Sequence, residues 1–203
     1  AMGKPGESLR VNQRRGLLVA NHYNNRLPIE DAELRRSLAV YDVSKDCRHP
    51  KLLADVLMPV GEGHEGCFQP DGMVYYMASP ALGITPIDLS NPRRPRQLSD
   101  PWPLGVHGCT ISADGKTGYF ADIGTLDASP YNGVVIVDTK QAQARRKNAS
   151  YKVLGYHPTP LNIGQHGAYP LKYGSRSFVF NWSENLTNDP PCQNGVSNTG
   201  YAT

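Results

Sequence analysis

The sequence predicts an all-β repeat fold, and three observations carry that expectation. The segment HEGCFQPDGMVYYMAS at 64–79 is echoed by HGCTISADGKTGYFAD from His107 and by HGAYPLKYGSRSFVFN from His166. In each copy a glycine stands eight residues after the histidine (Gly72, Gly115, Gly174), and an aromatic residue stands at twelve (Tyr76, Tyr119, Phe178). A fixed internal spacing of this kind marks a repeat architecture. The chain also holds 20 glycines and 17 prolines. Together these make up about 18% of it, against roughly 12% in average usage, a composition that opposes helices and favours short strands and turns. Its apolar runs are short and bounded by Gly, Pro, Asn, Asp or Ser, with no sustained helical period.

Taken in order, residues 7–20 (ESLRVNQRRGLLVA) form a divergent first copy, strand–turn–strand, with Glu7 where the other copies have histidine. A polar loop containing His22 follows. LAVYDVS is then an alternating strand ending at Asp42, and KLLADVLMP (51–59) closes the unit. The second unit starts near 63. HEGCFQ and MVYYMAS are strands about a PDG turn, GITPIDLS is a strand ending at Asp88, and RQLSDPWPL is the outer strand. The third unit starts near 106 with HGCTIS and KTGYFADIG, continues in GVVIVD to Asp138, and ends in YKVLGYHP. Its polar connection TKQAQARRKNAS has room for a helical turn. A fourth unit opens near 165, and residues 183–203 read as a polar loop or tail. Units of about 43 to 60 residues with four strands each have the size of β-propeller blades. The recurring Asp42, Asp88 and Asp138 suit a structural task, accepting backbone N–H groups of the turn that follows. Tyr75, Tyr76, Tyr119 and Phe120 are expected in the core.

The strings LAVYDVS, ITPIDLSNPRRP and GVVIVD resemble the repeats of the LVIVD family of β-propellers, and HGCTISADGKTGYFAD is similar to the blade-opening segment of that family and of YVTN-type propellers. The resemblance covers roughly 7–182. It implies four-stranded antiparallel blades arranged as a section of a ring of about seven, with further blades supplied by a longer chain or by a second chain. It also implies a ligand-binding or protein-interaction role outside the cytoplasm. A lactonase-like hydrolase activity would need a base and an oxyanion-stabilising pair that no motif here supplies.

Other function classes fit poorly. A formal net charge of +3 is far from the basic stripe of nucleic-acid binders. The arginine pairs (Arg14–Arg15, Arg35–Arg36, Arg93–Arg94, Arg145–Arg146) are scattered among turns and read as solvated. No apolar run is long enough to span a bilayer. Cys47, Cys67, Cys109 and Cys192 show neither CxxC nor zinc spacing. Cys67 is three residues past its histidine and Cys109 only two. On strands of period two this puts them on opposite faces, so they are not expected to pair. The sequons at Asn148, Asn181 and Asn185 matter only in a secreted eukaryotic protein.

The chemistry rests on the repeated histidines. If the strand at each one is innermost, His64, His107 and His166 meet near one axis. Imidazole is the commonest protein ligand of borderline metals, so one reading is a metal-dependent enzyme, oxidoreductase or hydrolase-like, with a divalent transition metal held on the axis by these three and Glu7 as a fourth or outer group. Propellers such as carotenoid oxygenases and selenium-binding proteins hold metals on converging histidines, an analogy of architecture. Equally, each imidazole can tie one blade to the next, or bind an organic or protein ligand at the channel face together with His22. His49 and His157 stand beside prolines and are expected to be exposed.

Overall fold

The computed structural model describes residues 9–21, 37–124, 131–159 and 164–184. Within them the chain builds sheets of consecutive antiparallel strands, each ordered as the sequence runs. Blade 1 holds β1 (Leu9–Asn12), β2 (Leu17–Asn21), β3 (Ser37–Asp42) and β4 (Lys51–Leu57). Blade 2 holds β5 (Glu65–Phe68), β6 (Val74–Ser79), β7 (Gly83–Asp88) and β8 (Arg96–Gln97). Blade 3 holds β9 (Val106–Ile111), β10 (Thr117–Asp122), β11 (Gly133–Asp138) and β12 (Lys152–Pro158), with the short helix α1 (Lys140–Gln143) between the last two. The fourth sheet has two described strands, β13 (Gly164–Tyr173) and β14 (Arg176–Glu184). The innermost strands β1, β5, β9 and β13 neighbour one another in that order, so the sheets fan about a common axis.

The repeated glycine has a conformational cause. Gly16, Gly72, Gly115 and Gly174 all have φ between +59° and +75°, where a Cβ is strained. Each closes the turn between the first and second strands of its blade. Asp71 and Asp114 serve the same turns by accepting the backbone N–H of Met73 and Lys116. One turn further out, Asp42, Asp88 and Asp138 accept the N–H of Ser44, Ser90 and Lys140, each at 2.9 Å, as their spacing suggested.

Blades stack face to face, so a middle blade is covered on both sides. In β6 all six residues are buried. Tyr75 and Met77 pack with Val19, Leu38 and Val40 of blade 1, whereas Val74, Tyr76 and Ala78 pack with Phe120, Val135 and Val137 of blade 3. Odd and even positions of one strand therefore serve different interfaces. Tyr75, Tyr76 and Phe120 are fully buried and Tyr119 partly so, in keeping with core positions.

That alternation corrects the reading of the cysteines. Cys67 and Cys109 form a disulfide, with Cα atoms 5.7 Å apart. Opposite faces would separate two residues of one sheet, but these belong to adjacent sheets. The face that blade 2 turns towards blade 3 has the opposite parity to the face blade 3 turns back. Cys67 and Cys109 occupy those two facing surfaces. Three further expectations change. Arg15 is no solvated turn charge: its guanidinium donates to the carbonyls of Gly72 and Leu89 (2.8 and 2.7 Å), clamping blade 1 onto blade 2. The outer strand of blade 2 shrinks to Arg96–Gln97 plus one bridge from Trp102 to Ile84, because Pro101 and Pro103 cannot donate to a ladder. Strand β14 runs to Glu184, two residues into the expected tail.

The disulfide closes a loop with a sequence separation of 42 residues, worth about 4 kcal/mol in the chain-entropy model. Replacing both cysteines by alanine, or adding a reductant, should lower the urea midpoint of unfolding by a corresponding amount. Equal midpoints with and without reductant would mean that the bridge contributes nothing.

Candidate functional site

Three of the repeat histidines do meet. His64 Nε2 lies 2.8 Å from His107 Nε2, and their rings cross edge to face with centroids 4.4 Å apart. The ring of His107 packs on His166 with centroids 4.0 Å apart. Each imidazole stands at the start of an inner strand, so the repeat register alone delivers them to one level. Their closeness depends on Gly108. A Cβ there would overlap the carbonyl oxygen of His166 and come within 2.9 Å of Glu65 Oε2, so only glycine lets β9 approach β13 this closely.

The cluster continues sideways. Glu65 Oε2 is 4.0 Å from His107 Nδ1 and accepts from the Arg10 guanidinium at 2.9 Å, while Arg10 Nε donates to the Gly66 carbonyl. Asn21 donates to the Glu65 carbonyl. On the other side the Trp182 indole donates to His166 Nδ1 at 3.1 Å. An indole N–H can only donate. Nδ1 of His166 is therefore the lone-pair nitrogen, and the neutral ring carries its proton on Nε2. Arg10, Glu65, His64, His107, His166 and Trp182 thus form one polar chain across all four blades.

Charge is excluded from its centre. His107 is 4% exposed. Burial, then the nearby imidazoles of His166 and His64, lower its pKa to about 3. At neutral pH the ring is uncharged, able to donate from one nitrogen and accept at the other.

Around this chain lies a second polar ring that the histidine spacing did not announce. Ser79, Asp122 and Asn181 are buried polar residues ending or near the end of β6, β10 and β14. Each stands fifteen residues after its histidine, and His22 stands fifteen after Glu7, so the sequence carries the signal at that offset. Glu62, also buried, accepts from Ser79 Oγ at 2.7 Å. Gln165 links Asn181 to Ser183. Glu7 and His22 lie outside the described residues. His49 is exposed in its turn, 2.9 Å from Asp46. His157 is exposed too, but sits within β12 opposite Val134. Further along the axis, a groove of about 300 Å³ is lined by Arg10, Asn12, Phe68, Thr110 and Tyr169, with the disulfide in its wall.

The described atoms do not fit a three-histidine metal centre. A divalent cation sits about 2 Å from each imidazole nitrogen and needs three lone pairs aimed at one point. Here two Nε2 atoms face one another at hydrogen-bond distance, and the His166 Nδ1 lone pair is taken by an indole. Among the described residues no group of three His, Cys, Asp or Glu side chains is placed to hold a metal ion.

This architecture defines a class, a section of an all-β propeller built of four-stranded antiparallel blades, and solved structures agree. A putative 6-phosphogluconolactonase from Bacteroides uniformis superposes with a TM-score of 0.58 at 13% identity, covering 88% of this chain and 50% of its own. The periplasmic gluconolactonase of Pseudomonas aeruginosa does so with a TM-score of 0.58 at 12% identity, covering 96% and 56%. Saccharomyces cerevisiae Sqt1 gives 0.56 at 9% identity, covering 90% and 45%. The chain spans about half the length of these proteins. No protein-family model matches it, nor does any curated protein sequence. No described helix is long and apolar enough to cross a membrane.

The depressed pKa of His107 predicts a sign for pH dependence. Between about pH 6.5 and 3 the unfolded chain binds a proton at this residue that the folded chain refuses, so stability falls as pH drops through that window. Urea denaturation should show a loss of up to about 2 kcal/mol between pH 6.5 and about 4.5, with a shallower slope in His107→Asn. Parallel curves for the two proteins would contradict the assignment.

Proposed function

We propose that this chain is the ligand-binding part of a propeller of the LVIVD-repeat kind, and that its axial histidine chain recognises a small polyhydroxylated molecule such as a sugar acid or its lactone. The observation that carries this is the convergence of His64, His107 and His166 in ring contact at the inner-strand starts. The uncharged His107 ring, with His64 and His166 against it and the Glu65–Arg10 pair beside it, brings donors, acceptors and one cation within a few ångströms. Glu62, Asp122 and Asn181, buried and already hydrogen-bonded, add further polar groups behind the histidine chain. Hydroxyl groups, which both donate and accept, are the natural complement of such a surface. Two structural neighbours are a putative 6-phosphogluconolactonase and a periplasmic gluconolactonase, which makes that substrate class the first to try. The interblade disulfide supports work in an oxidising compartment outside the cytoplasm.

Within this reading His107 is the central contact, because it alone touches both other rings. Arg10 and Glu65 position it and supply charge for a carboxylate or a ring oxygen. No nucleophile is assigned, and the role is binding.

Calorimetric titration of the intact chain with gluconate and with gluconolactone tests this. Saturable binding weakened about tenfold or more in His107→Ala, with the circular dichroism spectrum retained, is the expected result; a lost buried hydrogen bond of this kind is worth about 1–3 kcal/mol. Binding by the variant as tight as by the wild type would remove the histidine chain from the site. A parallel titration with Zn²⁺ separates the metal reading: stoichiometric uptake lost in His107→Ala would favour a metal centre over the hydrogen-bonding one.

A further inference from the structure

The fourth sheet departs from the other three at one edge. Strands β2, β6 and β10 are each covered by a third strand, β3, β7 and β11, whereas among the described residues β14 pairs with β13 alone. The three internal examples show what an occupant of that edge looks like. LAVYD, ITPID and VVIVD are extended and mostly apolar, and each ends in aspartate. In all three the aspartate pairs with the first residue of the second strand: Asp42 with Leu17, Asp88 with Val74, and Asp138 with Thr117.

In β14 that first position is Arg176. Like Leu17, Val74 and Thr117, it follows the turn glycine closely, two residues after Gly174. It is exposed, with its guanidinium carbon 5.1 Å from the ring centroid of Phe178. An aspartate arriving in the register of the other blades would face a cation, a favourable cross-strand pair. The side chains beside it are equally suggestive. Phe178 and Phe180 pair with Leu171 and Tyr169 on one face of the hairpin, and all four are 40–44% exposed. Val179 and Ala168, of the opposite parity, are packed against blade 3. The exposed face therefore corresponds to the one that blades 1 to 3 turn towards their successors.

We propose that the edge of β14 left unpaired among the described residues is a strand-addition site. Its occupant is an extended segment of the LAVYD, ITPID or VVIVD type, seated antiparallel with its terminal aspartate opposite Arg176. Main-chain hydrogen bonds would supply affinity, and the charge pair would set the register.

A fluorescently labelled peptide copying Ser37–Asp46 (SLAVYDVSKD) tests this against the intact chain by anisotropy. In the expected register Asp42 meets Arg176, Val40 meets Phe178, and Leu38 meets Phe180. Saturable binding is expected, abolished when Tyr41 of the peptide becomes proline, since Pro86 of ITPID already stands at the Val40 position with its main chain turned to the outer strand, and reduced about tenfold in Phe180→Asp. Arg176→Glu should weaken binding about two- to fivefold, and an Asp42→Lys peptide should restore it. Each variant is checked by circular dichroism, so that loss of binding is scored only on folded protein. Three outcomes overturn the proposal: no binding to the wild type, equal binding of the proline peptide, or no rescue by the reversed pair. Self-association through this edge that the peptide fails to displace would also overturn it, in favour of a second copy as occupant.

Discussion

The structure depends on how closely the inner strands approach one another at the axis. Sheets that pack only through long side chains would hold their first strands well apart. Here β9 comes near enough to β13 for Gly108 to lie against the His166 carbonyl and for His107 to touch two other imidazoles. Glycine after the histidine is the residue that permits this, and the buried polar chain from Arg10 to Trp182 follows from it. Polar groups brought into so little space must satisfy one another, which accounts for hydrogen-bond partners running from blade to blade. Asn12 and Gln69 repeat the same device lower down, each extending an amide to the main chain at or beside the turn of the next blade.

Much of this was legible from residues alone. The histidine–glycine–aromatic spacing located the blades, and the three aspartates marked the ends of the third strands because each must accept the N–H of its turn. The convergence of His64, His107 and His166 followed from register once the fold was accepted. What escaped the reading did so for geometric reasons. Strand parity separates Cys67 from Cys109 only within one sheet, whereas a propeller brings opposite parities together between sheets. Arg15 sits in a turn, where charges are usually solvated, yet its long side chain spans to blade 2. The ring of Ser79, Asp122 and Asn181 was written at a constant offset, but three different polar residue types hide a repeat that identical histidines display.

Hydrogen bonding also favours one of the two chemistries that three histidines suggest. Imidazoles around a metal must all turn lone pairs inwards. The indole of Trp182 fixes the proton of His166 on Nε2, and the short contact between His64 and His107 requires one proton between two nitrogens. Burial, with two more imidazoles close by, then keeps His107 neutral although Glu65 Oε2 lies 4.0 Å from its Nδ1. A cluster centred on a neutral imidazole suits hydrogen bonding to hydroxyl-rich molecules, and its contacts tie four blades together.

The protonation state of His107 is therefore the most direct test of the account. Nitrogen-15 NMR of the imidazole rings reports tautomer and charge for each histidine separately. The account predicts a His107 ring that stays neutral from pH 7 down to at least about pH 4.5, with the proton of His166 on Nε2. A His107 that titrates near its ordinary value of 6.5, or a His166 carrying its proton on Nδ1, would contradict it.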